Sequence, residues 1–253
     1  MAWELKKLLY ATNFKKPSFT AFEGLLEFCK LGLKEVILLN IANFSDWKKT
    51  LSQHDINVKV LSEKEPSVSR ILNVAEKEDV SVIVAHLEKG QRRLLGGSAI
   101  KHLAKRSTIP VIIVHKTEIN KRWSEHIIFA TDWSPSSENA LSYVLNFKEI
   151  VKELDIVHII SEKLTVRSFR ELKHKLAQTR KVCLDQGIDT EFHLYVGKIE
   201  EEIIKAAKDY EGTAIVMGAT SKSTLREMFF GNLPCQIAEE AHIPVLVIPK
   251  LGG

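Results

Sequence analysis

The residues whose types could do chemistry gather at three places: Ala130-Thr131-Asp132, Met217-Gly218-Ala219-Thr220-Ser221 and Gly231-Asn232-Leu233. A carboxylate such as Asp132 accepts hydrogen bonds from hydroxyls or from backbone N–H groups. Glycines and small polar residues leading into a helix can offer free N–H groups and the positive end of the helix dipole to an anion. Such chemistry is binding, not bond-making. The sequence holds no Ser/His/Asp or Cys/His set, metal-ligand cluster or complete P-loop, and no general base or carboxylate pair for Mg2+. No catalytic residue is therefore named and no metal is expected. Each residue also has a plain structural reading. Gly218 and Gly231 can be a strand end and a helix-entry turn. Asp132 can bond nearby backbone ahead of a helix start at Ser134-Pro135.

The elements that must position these residues follow from an internal repeat. Residues 6–14 match 125–133 at an offset of 119, 71–85 match 203–217 at 132, and 97–114 match 231–248 at 134. Order is preserved, so the chain carries one unit twice, with an insertion in the second copy or a deletion in the first. Short β-branched runs predict strands at 8–11, 36–41, 58–61, 80–85 and 111–114, repeated at 127–130, 156–160, 191–195, 214–217 and 245–248. Between them, Phe22, Leu25, Leu26 and Cys29 have helical spacing, as do Ile71, Leu72 and Ala75, and Ile203, Ile204 and Ala207. Phe169, Leu172, Leu176 and Cys183 mark one face of a longer helix, where the first copy has room for only a turn or two. Alternating strands and helices imply two tandem doubly wound α/β domains, each a five-stranded parallel sheet with helices on both faces. The expected domains are 1–117 and 123–253, with 116–125 a charged linker. In such sheets ligands sit beyond the carboxyl ends of the strands, near the topological switch point. The three segments above lie at those ends.

Composition adds mostly exclusions. The chain has 253 residues, 45% hydrophobic and 27% charged, with a formal net charge of +4. That is enough apolar residue for two cores and too mild a charge to imply nucleic acid. Arg167, Arg170, Lys173, Lys175, Arg180 and Lys181 crowd the long helix, where a solvated face is the ordinary reading. Cys29, Cys183 and Cys235 are odd in number and widely spaced, which favours free thiols in a reducing compartment. His115 and His158 read as core or rim histidines. No stretch has the length of a membrane span, and the first residues lack the apolar core of a signal peptide. A cytoplasmic protein with no membrane contact is expected.

The second copy resembles the nucleotide-binding universal stress proteins. Their motif is a glycine, any two residues, a second glycine, any nine, then a glycine followed by serine or threonine, with an aspartate ending the first strand. The spacing recurs here at 218, 221, 231 and 232, with Gly218 and Gly231 matching, Ser221 and Asn232 substituted, and Asp132 in place. Pro234 departs further. The resemblance implies a flavodoxin-like, Rossmann-like fold binding ATP or AMP in the second copy. It assigns contact to Ala130, Thr131, Asp132, Met217, Gly218, Ser221, Gly231, Asn232 and Leu233, with Ile159 meeting adenine through its backbone. The first copy has Asn13 for the aspartate, His86 at the position of Gly218 and a loop two residues shorter, and it keeps Gly97-Ser98 with Arg92 and Arg93 upstream. It is expected to be structural. The family's fifth-strand dimer contact would be met internally by 111–114 against 245–248, antiparallel, and a homodimer is left open. Three functions follow: a nucleotide-binding stress protein, a nucleotide-free scaffold or interaction module, and, ranked last, a weak ATPase.

Overall fold

The computed structural model describes residues 5–11, 23–39, 45–62, 67–87, 97–115, 122–160, 164–219 and 233–250. The first half runs β1 (Lys7–Ala11), a 3-10 helix (Gly24–Leu31), β2 (Glu35–Leu39), α1 (Ser45–Ser52), β3 (Asn57–Leu61), α2 (Val68–Lys77), β4 (Val82–Leu87), α3 (Gly97–Arg106) and β5 (Val111–His115). The second runs β6 (His126–Ala130), α4 (Pro135–Leu145), β7 (Glu153–Ile160), α5 (Val166–Asp185), β8 (Asp189–Val196), α6 (Ile199–Asp209), β9 (Ala214–Gly218), α7 (Leu233–Ala241) and β10 (Val245–Ile248).

The ten strands form one sheet in the order β3-β2-β1-β4-β5-β10-β9-β6-β7-β8. Within each half the pairing is parallel. The halves meet where β5 and β10 run antiparallel, with Val245 opposite Ile113, Leu246 opposite Ile112 and Val247 opposite Val111. Two apolar edges are thereby paired inside one chain.

Both faces of the sheet are covered over its inner strands, which is why most of those read as apolar runs, while the edge strands β3 and β8 carry Lys59 and Glu191. Ile127, Phe129, Ile156, Val216 and Leu246 point to one face, beneath the 3-10 helix, α1, α4 and α5. Ile128, Val157, Ile215, Met217 and Val245 point to the other, beneath α2, α3, α6 and α7. Among the described residues no helix is long and apolar enough to cross a membrane.

Four expectations need correction. The segment from Phe22 to Cys29 does not form an α-helix over its described part. It is a 3-10 helix in which Leu25 and Phe28, three residues apart, are the buried pair, while Leu26 and Cys29 are half-buried. A three-residue turn stacks i and i+3. It ends at Gly32, whose φ of +95° a side chain would strain and whose N–H donates to Cys29 O and Phe28 O. The strand expected at 80–85 begins at Val82, because Val80 N–H closes α2 on Ala75 O and Ser81 Oγ accepts from Lys6 and Lys7 N–H. The linker is not solvated throughout. Trp123 is fully buried, donates its indole N–H to Gly24 O (3.0 Å) and packs edge-on against Phe28. Beside it, Ser124 Oγ–H donates to Glu27 Oε2 (2.6 Å). Finally, Phe169 shares the face of Leu172, Leu176 and Cys183 but lies in the first turn of the helix, is 38% exposed and is not part of the buried set, with Lys173 Nζ over its ring.

Candidate functional site

Within the second half the strand order β10-β9-β6-β7-β8 reverses direction between β9 and β6. Ala130 ends β6, opposite Met217 on β9 and Val157 on β7. Ala130, Thr131, Ile159 and Met217 are buried and Asp132 is half-buried, all at neighbouring carboxyl ends. Gly218 ends β9 and Leu233, also buried, opens α7. Ser221, Gly231 and Asn232 lie outside the described residues, as do Asn13, Arg92 and Arg93; Gly97 and Ser98 open α3.

The turn from β6 into α4 is built by side chains. Ser134 is the N-cap, its Oγ accepting from Ser137 N–H (3.3 Å), and Pro135 follows where a missing N–H costs nothing. Asp132 Oδ1 accepts from Ser134 N–H (2.9 Å) and from Ser137 Oγ–H (3.2 Å). The carboxylate therefore already steadies the N-terminus of α4, where the helix dipole favours negative charge. Between them Trp133 takes a φ of +53°, a left-handed backbone unusual for a bulky residue. Its N–H donates to Thr131 Oγ1 (3.1 Å), its ring lies 4.8 Å from that of His158, and Lys175 Nζ stands over it at 5.7 Å. His158 in turn bonds Thr131 O through Nδ1 (2.7 Å). Trp133, Ser136 and Ser137 were not singled out from sequence. The serine run after Asp132 was their available signal, as a helix-start signature.

Gly218 has a steric reason to be glycine. A Cβ there would stand 2.5 Å from Ser136 Oγ and 2.6 Å from Ser137 N, because the first turn of α4 lies directly on the end of β9. Pro234 is the second residue of α7, so it breaks no intrahelical bond yet leaves one N–H fewer at that helix start.

The first copy fills the corresponding space with a side chain. His86 pairs with Val114 as Gly218 pairs with Ile248, and its imidazole is fully buried, Nε2 bonded to Tyr10 OH. Burial pushes the His86 pKa down to about 4, so the ring is neutral. Cys183 and Cys235 are buried, with thiols pushed up to about 11 and about 12, which removes thiolate chemistry at neutral pH.

A second polar cluster joins three strands, at the start of β6, near the start of β7 and in the middle of β8. Asp155 on β7 accepts from His126 Nε2 on β6 (2.7 Å) and from His193 Nε2 on β8 (2.8 Å), and His193 stacks on Tyr210. The bond to Asp155 raises the pKa of His126 against the opposing effect of burial. Burial pushes the Asp155 carboxyl up, but its histidine partners outweigh it and hold the group below the ordinary range. Among the described residues no group of His, Cys, Asp and Glu has the arrangement of a metal site.

Comparison with known proteins gives the chain its family. The model of the universal stress protein family matches residues 124–249. Universal stress protein MJ0577 of Methanocaldococcus jannaschii is 27% identical over 152 residues, covering 49% of this chain and 94% of that protein. Universal stress protein MJ0531 of the same organism is 25% identical over 138 residues, covering 49% of this chain and 81% of that protein. The crystal structure of a universal stress protein from Archaeoglobus fulgidus covers 98% of this chain and 97% of its own, with a TM-score of 0.75 at 19% identity, so the fold is shared along both halves. The chain belongs to the universal stress protein family, the family model matching its C-terminal half.

Proposed function

We propose that the C-terminal half binds an adenine nucleotide, ATP or AMP, at the carboxyl ends of β6, β7 and β9, with the N-terminal half as its structural partner. The observation that carries this reading is the convergence of Asp132, Ile159, Met217 and Gly218 beside the point where the strand order reverses. The residues fit a nucleoside. Asp132 offers a carboxylate for ribose hydroxyls, Ile159 offers its backbone to a base at the end of β7, and the start of α7 at Leu233 offers N–H groups to phosphate. Ser221, Gly231 and Asn232 would complete the phosphate side. The role is binding, not catalysis.

Isothermal calorimetry with AMP and with ATP tests this. Binding should appear in the native chain and weaken by about ten- to a hundredfold in Asp132→Ala, the loss of hydrogen bonding to a charged group. Asp132→Asn, which keeps an acceptor for Ser134 N–H, separates lost ribose contact from a loosened α4. Absence of heat and of thermal shift at millimolar nucleotide would overturn the proposal. It would leave a second reading, a nucleotide-free interaction module. Two observations favour that module: Asp132 Oδ1 already serves Ser134 and Ser137, and packing alone accounts for Gly218.

A further inference from the structure

Among the described strands, β3 and β8 alone have a single neighbour in the sheet. β3 has five residues and β8 has eight. Asp189 N–H donates to Lys152 O and Gly197 N–H to Ile160 O, so the odd-numbered residues of β8 turn their backbone groups toward β7. Alternate residues of a parallel strand serve opposite neighbours, and Thr190, Phe192, Leu194 and Val196 therefore turn theirs to the open edge. No strand among the described residues pairs there. Long edges are normally blunted by proline, lysine or a covering segment. β8 contains neither proline nor lysine, and Val196 is 73% exposed.

Helix α5 lines this edge. Arg180 reaches it with Nε on Thr190 O (2.6 Å) and a second guanidinium nitrogen on Glu191 Oε1 (2.8 Å). On the adjoining flank Val166, Arg170, Lys173, Ala177, Lys181 and Leu184 follow one another at three- and four-residue steps, which places them in one stripe. All six are exposed. The stripe holds three cations; Glu171 falls on the opposite flank, and Asp185 lies one turn beyond Lys181 at the C-terminal end of the helix, past Arg170 and Lys173.

We propose that the β8 edge and this flank of α5 form a docking strip for an extended acidic segment of a partner protein. The segment adds as a further strand beside β8, and its alternate side chains, carboxylates, face Arg170, Lys173 and Lys181. Charge decides against a second copy as occupant. Antiparallel edge pairing keeps like faces together, as β5 and β10 do here, so β8 against β8 would bring two cation stripes onto one face.

The probe is a fluorescent eight-residue peptide alternating glutamate and valine, with a lysine-valine peptide as control, read by anisotropy on the full chain. The glutamate peptide should bind, salt should weaken it, and the amides of Phe192, Leu194 and Val196 should gain protection from exchange. Arg170→Glu with Lys181→Glu should weaken binding about tenfold or more without touching a buried residue. Leu194→Pro, which removes one outward N–H, should abolish it. Equal binding of the two peptides, wild-type binding by the charge-reversed protein, or a self-associated dimer that Leu194→Pro breaks would each overturn the proposal.

Discussion

Replacing Gly218 by alanine separates the two reasons a glycine could stand at the end of β9. The new Cβ would lie 2.5 Å from Ser136 Oγ, 2.6 Å from Ser137 N and 2.7 Å from the Ser136 carbonyl carbon. Ordinary contact begins near ~3.5 Å, so the first turn of α4 must retreat by roughly 1 Å. Two of the three obstacles are backbone atoms, and no rotamer change relieves them. That turn is also where Ser134 caps Ser137 N–H and Asp132 holds Ser134 N–H, so the retreat strains a cap as well as the packing. Overpacking costs about 1–3 kcal/mol and a compromised N-cap about 1 kcal/mol. A total of about 2–4 kcal/mol should lower the melting temperature by roughly 5–15 °C for a chain of this size. Scanning calorimetry without nucleotide is the assay. An unchanged melting temperature would refute the packing argument and assign this glycine to ligand approach alone.

Other perturbations test the junction and the buried histidines. Trp123→Ala should cost about 3–5 kcal/mol in urea unfolding, and Trp123→Phe only about 1 kcal/mol, since the ring survives and the bond to Gly24 O does not; equal costs would remove the indole N–H from the account. The folded pKa of His86 is depressed to about 4, so its contribution is present above the unfolded value near ~6.5 and is lost as pH falls toward 4. His86→Phe should flatten that acid limb, and an unaltered pH profile of denaturation midpoints would contradict a buried neutral ring. The folded pKa of His126 is raised, so its stabilisation is complete below ~6.5 and is lost as pH rises through the folded value. The native chain should therefore exceed His126→Gln in stability by more at pH ~6 than at pH ~8.5, and the reverse order would break the assignment.

The scaffold was readable because its signal is local and repeated. A buried strand must present apolar side chains to both faces, and all ten such runs overlap observed strands. Where local and distant demands meet, sequence was less informative. Trp123 sits among charged residues and reads as linker until Phe28 and Gly24, about a hundred positions away, supply its pocket. Asp155 lies 29 residues from His126 and 38 from His193, and only the register of β6, β7 and β8 brings them together. At the candidate site, the strand ends bearing Asp132, Ile159 and Gly218 could be located from periodicity, but which groups Asp132 holds depends on the reversed backbone of Trp133.

The difference between the halves follows from where the site residues lie. Residues that specify the sheet sit inside the strands, where in the inner strands most side chains are enclosed and a substitution costs packing. The candidate site residues sit at or past the strand ends, so one half can lack them and keep its fold. His86 shows how. It occupies the last position of its strand that points to the α1 face, the place Gly218 holds in the other half, and its ring meets Tyr10 where Gly218 meets the start of α4. A glycine admits a helix terminus with its N–H groups and dipole; a buried neutral imidazole fills the same volume and supports no charge. The two strand ends are therefore both packed, one by an imidazole and the other by the first turn of a helix, and only the second brings backbone N–H groups and the Asp132 carboxylate close to the strand end.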